Sequence, residues 1–101
     1  MGRPEGAVEA YLVDRVKALG GEVRKVQWIG RKGAPDRLIW WDFPHVAFIE
    51  VKAPGVGIDH RSLQGREIAR MRRDGWPVYV VNSREQVDRV VYAVSHGSPL
   101  D

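Results

Sequence analysis

Two β-type runs with a short break between them constrain this chain more than any other stretch. The first reads Arg37-Leu38-Ile39-Trp40-Trp41, the second Phe48-Ile49-Glu50-Val51-Lys52, and a turn over Asp42 to His45 separates them. Such runs so closely spaced predict an antiparallel hairpin. Side chains alternate along a strand, so Glu50 and Lys52 share one face while Ile49 and Val51 take the other. Gly33-Ala34-Pro35-Asp36 bends the chain into the first run, and antiparallel pairing brings the Asp36 carboxylate towards Glu50. The hairpin thus predicts a cluster of two carboxylates and a lysine.

That cluster suits metal-assisted phosphodiester hydrolysis. Hard Mg²⁺ or Mn²⁺ takes oxygen ligands, often one or two protein carboxylates together with substrate phosphate. Asp36 and Glu50 are then the candidate ligands, the Val51 backbone carbonyl a third, and Lys52 the group that positions water or offsets developing charge. A solvated Glu-x-Lys pair on the polar face of a half-buried strand would leave the same pattern. Both readings stand on these residues alone.

Length and composition narrow the field. At 101 residues and 11.4 kDa the chain predicts a single domain over 1–101, with its core at about 5–94. A hydrophobic share of 44% argues against disorder. No apolar run reaches the roughly 18 residues of a membrane span, and Met1 to Glu5 lacks the apolar core of a secretory signal. The expected location is therefore the cytoplasm. The absence of cysteine excludes disulfides and thiolate metal sites. His45, His60 and His96 have no zinc spacing, and no Gly-x-Ser-x-Gly element is present. The net charge of +3 fits a polyanion partner, with Arg31 and Lys32 before the Pro-Asp corner and Arg61, Arg66 and Arg70 in one later segment. These five are the candidate DNA-binding residues, although arginines that merely solvate a helix would look the same.

Along the chain, Pro4 and Glu5 open a predicted helix on which Val8, Leu12, Val16 and Leu19 recur at helical spacing until Gly20-Gly21. Glu9 lies in line with Leu12, Val13 and Val16; a lone glutamate on a helix is more often solvated, and these residues alone do not lift Glu9 over Glu5. Glu22 to Trp28 alternates as a half-buried strand, and Ile29 to Ala34 is a basic, Gly-rich loop of the kind that lets backbone approach another molecule closely. Asp59 or Ser62 caps a second helix, whose inner stripe of Gln64, Ile68 and Met71 ends at Gly75. Trp76 to Val81 is a continuous apolar run, expected as a central strand. Ser83-x-x-Gln86 forms a capping box before a third helix carrying Val87, Val90, Val91 and Val94, and Ser95 to Asp101 reads as a tail. The order α-β-β-β-α-β-α predicts an α/β fold with a mixed central sheet flanked by helices.

Pro35-Asp36, a strand, then Glu50-x-Lys52 resembles the signature of the restriction-endonuclease-like, PD-(D/E)xK nucleases. Glu9, Gly20-Gly21, Lys25, Gly33-x-Pro35-Asp36, Ile49-Glu50-Val51-Lys52-Ala53 and Leu63-Gln64 resemble, in order, the VRR-NUC family, over roughly Val8 to Val94. The resemblance implies a restriction-endonuclease-like fold and an Mg²⁺- or Mn²⁺-dependent endodeoxyribonuclease. It selects Glu9 over Glu5 as the first helix's contribution, a catalytic residue and further candidate metal ligand, and turns Gln64 towards the site in support of the lysine, water or DNA. The catalytic set is then Glu9, Asp36, Glu50, Lys52 and Gln64. Compact stand-alone members, as in phages and bacteria, are similar to homodimers that cut branched DNA such as four-way (Holliday) junctions, which implies a bacterial or phage-infected cytoplasm. A flap or single-strand nicking nuclease, or a non-catalytic DNA-binding module, is the alternative. For the dimer contact the expectation falls on Trp40 or Trp41, Trp76 and the valine-rich third helix.

Overall fold

The computed structural model describes residues 4–97. The elements run α1 (Pro4–Ala18), β1 (Glu22–Lys25), β2 (Arg37–Trp40), β3 (Val46–Val51), α2 (Leu63–Arg73), β4 (Val78–Val81) and α3 (Arg84–His96), the expected order. The helices begin and end where local chemistry directs. Ser62 accepts a hydrogen bond from Gly65 N to open α2, while Asp59 accepts from Arg61 N one turn earlier. Ser83 accepts from Gln86 N to open α3, and Gln86 Oε1 reaches back to Asn82 N at 2.7 Å. The capping box therefore closes one residue upstream of Ser83 itself. Gly97, in the left-handed region, ends α3, so Ser95 and His96 belong to the helix. The rest of the expected tail, 98–101, lies outside the described residues.

The sheet order is β1-β2-β3-β4, antiparallel across the first two pairs and parallel across β3 and β4. A parallel partner requires a crossover, which α2 provides. α1 and α3 cover one face: Val8, Leu12 and Val16 from α1 and Val87, Val90, Val91 and Val94 from α3 share a core with Ile39, Ala47, Ile49, Val51 and Val81. All four α3 valines are thus interior, and they leave the set of interface candidates. Trp41 turns towards this core and donates to Leu19 O at 3.0 Å, while Trp40 faces the other side beneath Arg24.

Two expectations about strands change. The apolar run after Gly75 forms an edge strand, since among the described residues β4 pairs with β3 alone. It is apolar on both faces because α3 packs on one and α2 on the other. Helix cover gives the same composition that a central position would. The first strand ends at Lys25, not Trp28. Beyond it Val26 N still bonds Asp36 O at 2.9 Å, but Trp28 leaves the ladder. α2 covers only the β4 side of its face, leaving a hollow lined by Leu38, Trp40, Phe43, Val46, Phe48 and Trp76. No described helix is long and apolar enough to cross a membrane.

Candidate active site

The β2–β3 register sets Arg37 opposite Ile49, so one further step sets Asp36 opposite Glu50. Both lie on the α2 side. Glu50 keeps only 12% of its side chain exposed, and Lys52 Nζ stands 3.8 Å from its Oε2. Burial pushes the Glu50 carboxyl above the usual range, and the charges of Asp36 and Glu5 add to that push. A hydrogen bond from Gln64, at the start of α2, and the charge of Lys52 oppose it. The structure therefore gathers Asp36, Glu50, Lys52 and Gln64 as the sequence suggests, with a carboxylate held where its charge is under-compensated.

Pro35 has a local purpose beyond bending the chain. Trp41 N bonds His45 O, so the hydrogen-bonded positions of this antiparallel ladder recur every second residue through Ile39–Ala47 and Arg37–Ile49 to Pro35–Val51. Proline has no N–H to give. The Val51 carbonyl consequently faces no ladder donor from the opposite strand. Among the described residues no three Asp, Glu or His side chains converge as a closed metal cage. Two carboxylates beside an under-used carbonyl nonetheless fit a hard divalent cation, which usually completes its shell with water and phosphate.

The structure brings the expected helix 1 glutamate, Glu9, to the cluster through Arg37. The Glu9 carboxylate is engaged by Arg37, a buried arginine whose other arm reaches Asp36 Oδ2 at 3.3 Å. Its partner is thus a guanidinium on the core side of β2. Glu5, one turn earlier on the same side of the helix, adds the smallest of the contributions that raise the Glu50 carboxyl.

No family model matches the sequence. The chain is 37% identical over 81 residues to "Putative nuclease p44" of Acyrthosiphon pisum secondary endosymbiont phage 1, covering 80% of this chain and 85% of that protein. A solved structure described as a VRR_NUC domain superposes with a TM-score of 0.80 at 40% identity, over 90% of this chain and 97% of that one. The chain belongs to the VRR_NUC family. Its mixed four-stranded sheet and three helices are accordingly a restriction-endonuclease-like fold.

In this VRR_NUC chain the Gly-rich loop approaches its own helix. Gly33, at φ +85°, lies so close to α2 that a Cβ would stand 2.9 Å from Gln64 N and Cα. Arg31 spans from the same loop to Glu67 at 2.8 Å, and Arg70 reaches the same oxygen at 2.7 Å. Glu67 belongs to no motif in the sequence. Its only signal is a charge on the inner half of a helix, between Gln64 and Ile68. Arg31, Lys32, Arg66 and Arg70 line one groove between the loop and α2, whereas Arg61 stands outside it beside Asp59.

The hydrogen bond from Arg31 is the main reason the Glu67 carboxyl lies below the usual range, burial opposing it. A depressed pKa stabilises the fold above the ordinary carboxylate pKa, and that contribution is lost as pH falls through the lower folded value. Glu67→Gln should cost about 1–2 kcal/mol at pH 7, less than a fully buried pair because both arginines are half-exposed. Thermal melts should show the gap between variant and parent shrinking below pH 4. A gap that is unchanged in acid would place the effect in packing rather than charge.

Proposed function

We propose that this chain is a metal-dependent endodeoxyribonuclease that cuts branched DNA, four-way junctions above all, as a homodimer. The observation that carries the reading is the pairing of Asp36 with a buried, under-compensated Glu50 beside Lys52 and Gln64. Asp36, Glu50 and the Val51 carbonyl would hold Mg²⁺ or Mn²⁺, with Glu9 brought beside Asp36 by their shared partner Arg37. The bound ion would supply Lewis acidity to the phosphate and a water of lowered pKa. Lys52 offsets the negative charge that builds on the phosphate oxygens, Gln64 orients the Glu50 carboxylate, and Arg37 steadies Asp36 and Glu9 from behind. Lys32 and Arg66, with Arg31 and Arg70 already oriented by Glu67, offer the DNA backbone a basic groove.

One domain holds one such cluster, and symmetric resolution of a junction needs two. Twofold pairing supplies the second without added sequence. The apolar hollow around Trp40 and Phe43 is the surface for that contact, Phe43 being 90% exposed.

Labelled four-way junction, flap, linear duplex and single strand, each incubated with the protein in Mg²⁺ and in Mn²⁺, test the reading. Junction should be cut first, by paired symmetric nicks, and Lys52→Ala should lose a factor of about a hundred or more. Light scattering should give about twice 11.4 kDa. Lys52→Ala cutting at the parental rate would remove the site. A monomer that stays monomeric on junction DNA would turn the reading to flap or single-strand nicking.

A further inference from the structure

Trp28 is held firmly and yet remains open. Its indole Nε1–H donates to Pro35 O at 2.8 Å, its ring packs at 47° against Phe48 with centroids 5.7 Å apart, and 36% of the residue stays exposed. Leaving the ladder after Val26 is what frees it for this position. The carbonyl it grips belongs to the residue preceding Asp36. Trp28 consequently lines the same groove as Asp36, with Lys25, Gln27 and Arg31 around it. Its other flank shares a second groove with Phe48, Arg70 and the acidic Glu67 and Asp74.

We infer that Trp28 is a stacking platform for an unpaired nucleobase flanking the phosphate that Asp36 and Glu50 face. The inference rests on the nuclease reading and deepens it by naming the feature of DNA that is selected. Lys25 and Arg31 stand beside the ring in the groove that Asp36 shares and draw the sugar-phosphate backbone along that flank, whereas the second groove carries Arg70 together with Glu67 and Asp74. An aromatic face beside such a groove accepts any base, because every base offers a π-face. In an intact duplex those faces are already stacked on their neighbours. They become available where strands separate, at a branch, gap or end. Selectivity for structure without preference for sequence follows. The ring costs little entropy to use, since its hydrogen bond and Phe48 already fix it.

The test measures binding in EDTA, where no strand is cut, to a blunt duplex and to the same duplex carrying a short single-stranded gap with 2-aminopurine at the unpaired position. Trp28→Leu retains apolar bulk against Phe48 and removes the aromatic face; Trp28→Phe retains a ring and removes the hydrogen bond. Trp28→Leu should bind gapped DNA about 5- to 100-fold more weakly, with blunt duplex changed less than about twofold, and should abolish 2-aminopurine quenching. Trp28→Phe should stay within a few-fold of the parent on both. Equal binding of gapped DNA by Trp28→Leu and parent, or equal losses on gapped and blunt DNA, would overturn the inference. A parent protein that binds neither DNA would instead overturn the nuclease reading beneath it. The two failures are therefore distinguishable.

Discussion

Glu50→Gln is expected to lower cleavage by a factor of about a hundred or more and, in the absence of divalent ions, to raise the melting temperature. Both effects come from one charge. Burial and the neighbouring Asp36 raise the Glu50 carboxyl above its ordinary range, more than Gln64 and Lys52 hold it down. A carboxyl raised on folding stabilises the protein fully below its unfolded pKa, and that contribution is lost as pH rises through the folded value. Once ionised, the buried carboxylate therefore opposes folding. Glutamine keeps the shape and removes the charge, for a gain of about 1 kcal/mol, or roughly 4–8 °C in a domain of this size. Mn²⁺ should raise the melting temperature of the parent and leave the variant nearly unmoved, because a ligand that binds only the folded state stabilises it by mass action. Calorimetry at pH 7 with EDTA and then with Mn²⁺ reads all of this. A variant less stable than its parent without metal would mean that Glu50 is adequately compensated by Lys52 and Gln64.

Gly33→Ala should damage the site from a distance. The left-handed backbone costs a non-glycine residue about 1–2 kcal/mol, and the new Cβ would meet the backbone of Leu63 and Gln64 at 3.0 and 2.9 Å. A helix backbone cannot give way as a side-chain tip can. The loop has to lift, taking Arg31 from Glu67 and shifting Pro35 and Asp36 away from Glu50. A displacement of about 1 Å at a reacting centre can cost about a hundredfold in rate. Gly55→Ala is the control: it has a similar φ of +77° with open space around it, and should pay the backbone cost while cleaving normally. Equal activity in the two alanine variants would show that the contact with α2 does not position Asp36.

Much of this arrangement is legible in the sequence because it is local. Asp36 and Glu50 are joined by a hairpin, so a short turn and an alternation of two suffice to oppose them. The caps at Ser62 and Ser83 and the inward valines of α3 follow from similarly short patterns. Proline at position 35 even leaves the Val51 carbonyl without a ladder donor, for a reason written in its covalent structure. Other features depend on elements distant in sequence. Glu67 has the composition of a surface charge until Arg31 crosses to it, and Glu9 that of a solvated helix glutamate until α1 docks it on Arg37. The glycine loop has the composition to approach any molecule, and it approaches α2. An apolar run describes a central strand and a helix-covered edge strand equally well, so the place of β4 followed only from its pairing. Periodicity and covalent constraint determine which face a residue occupies; which partner meets that face is decided by long-range packing, where contacts between distant segments offset the loop entropy of bringing them together.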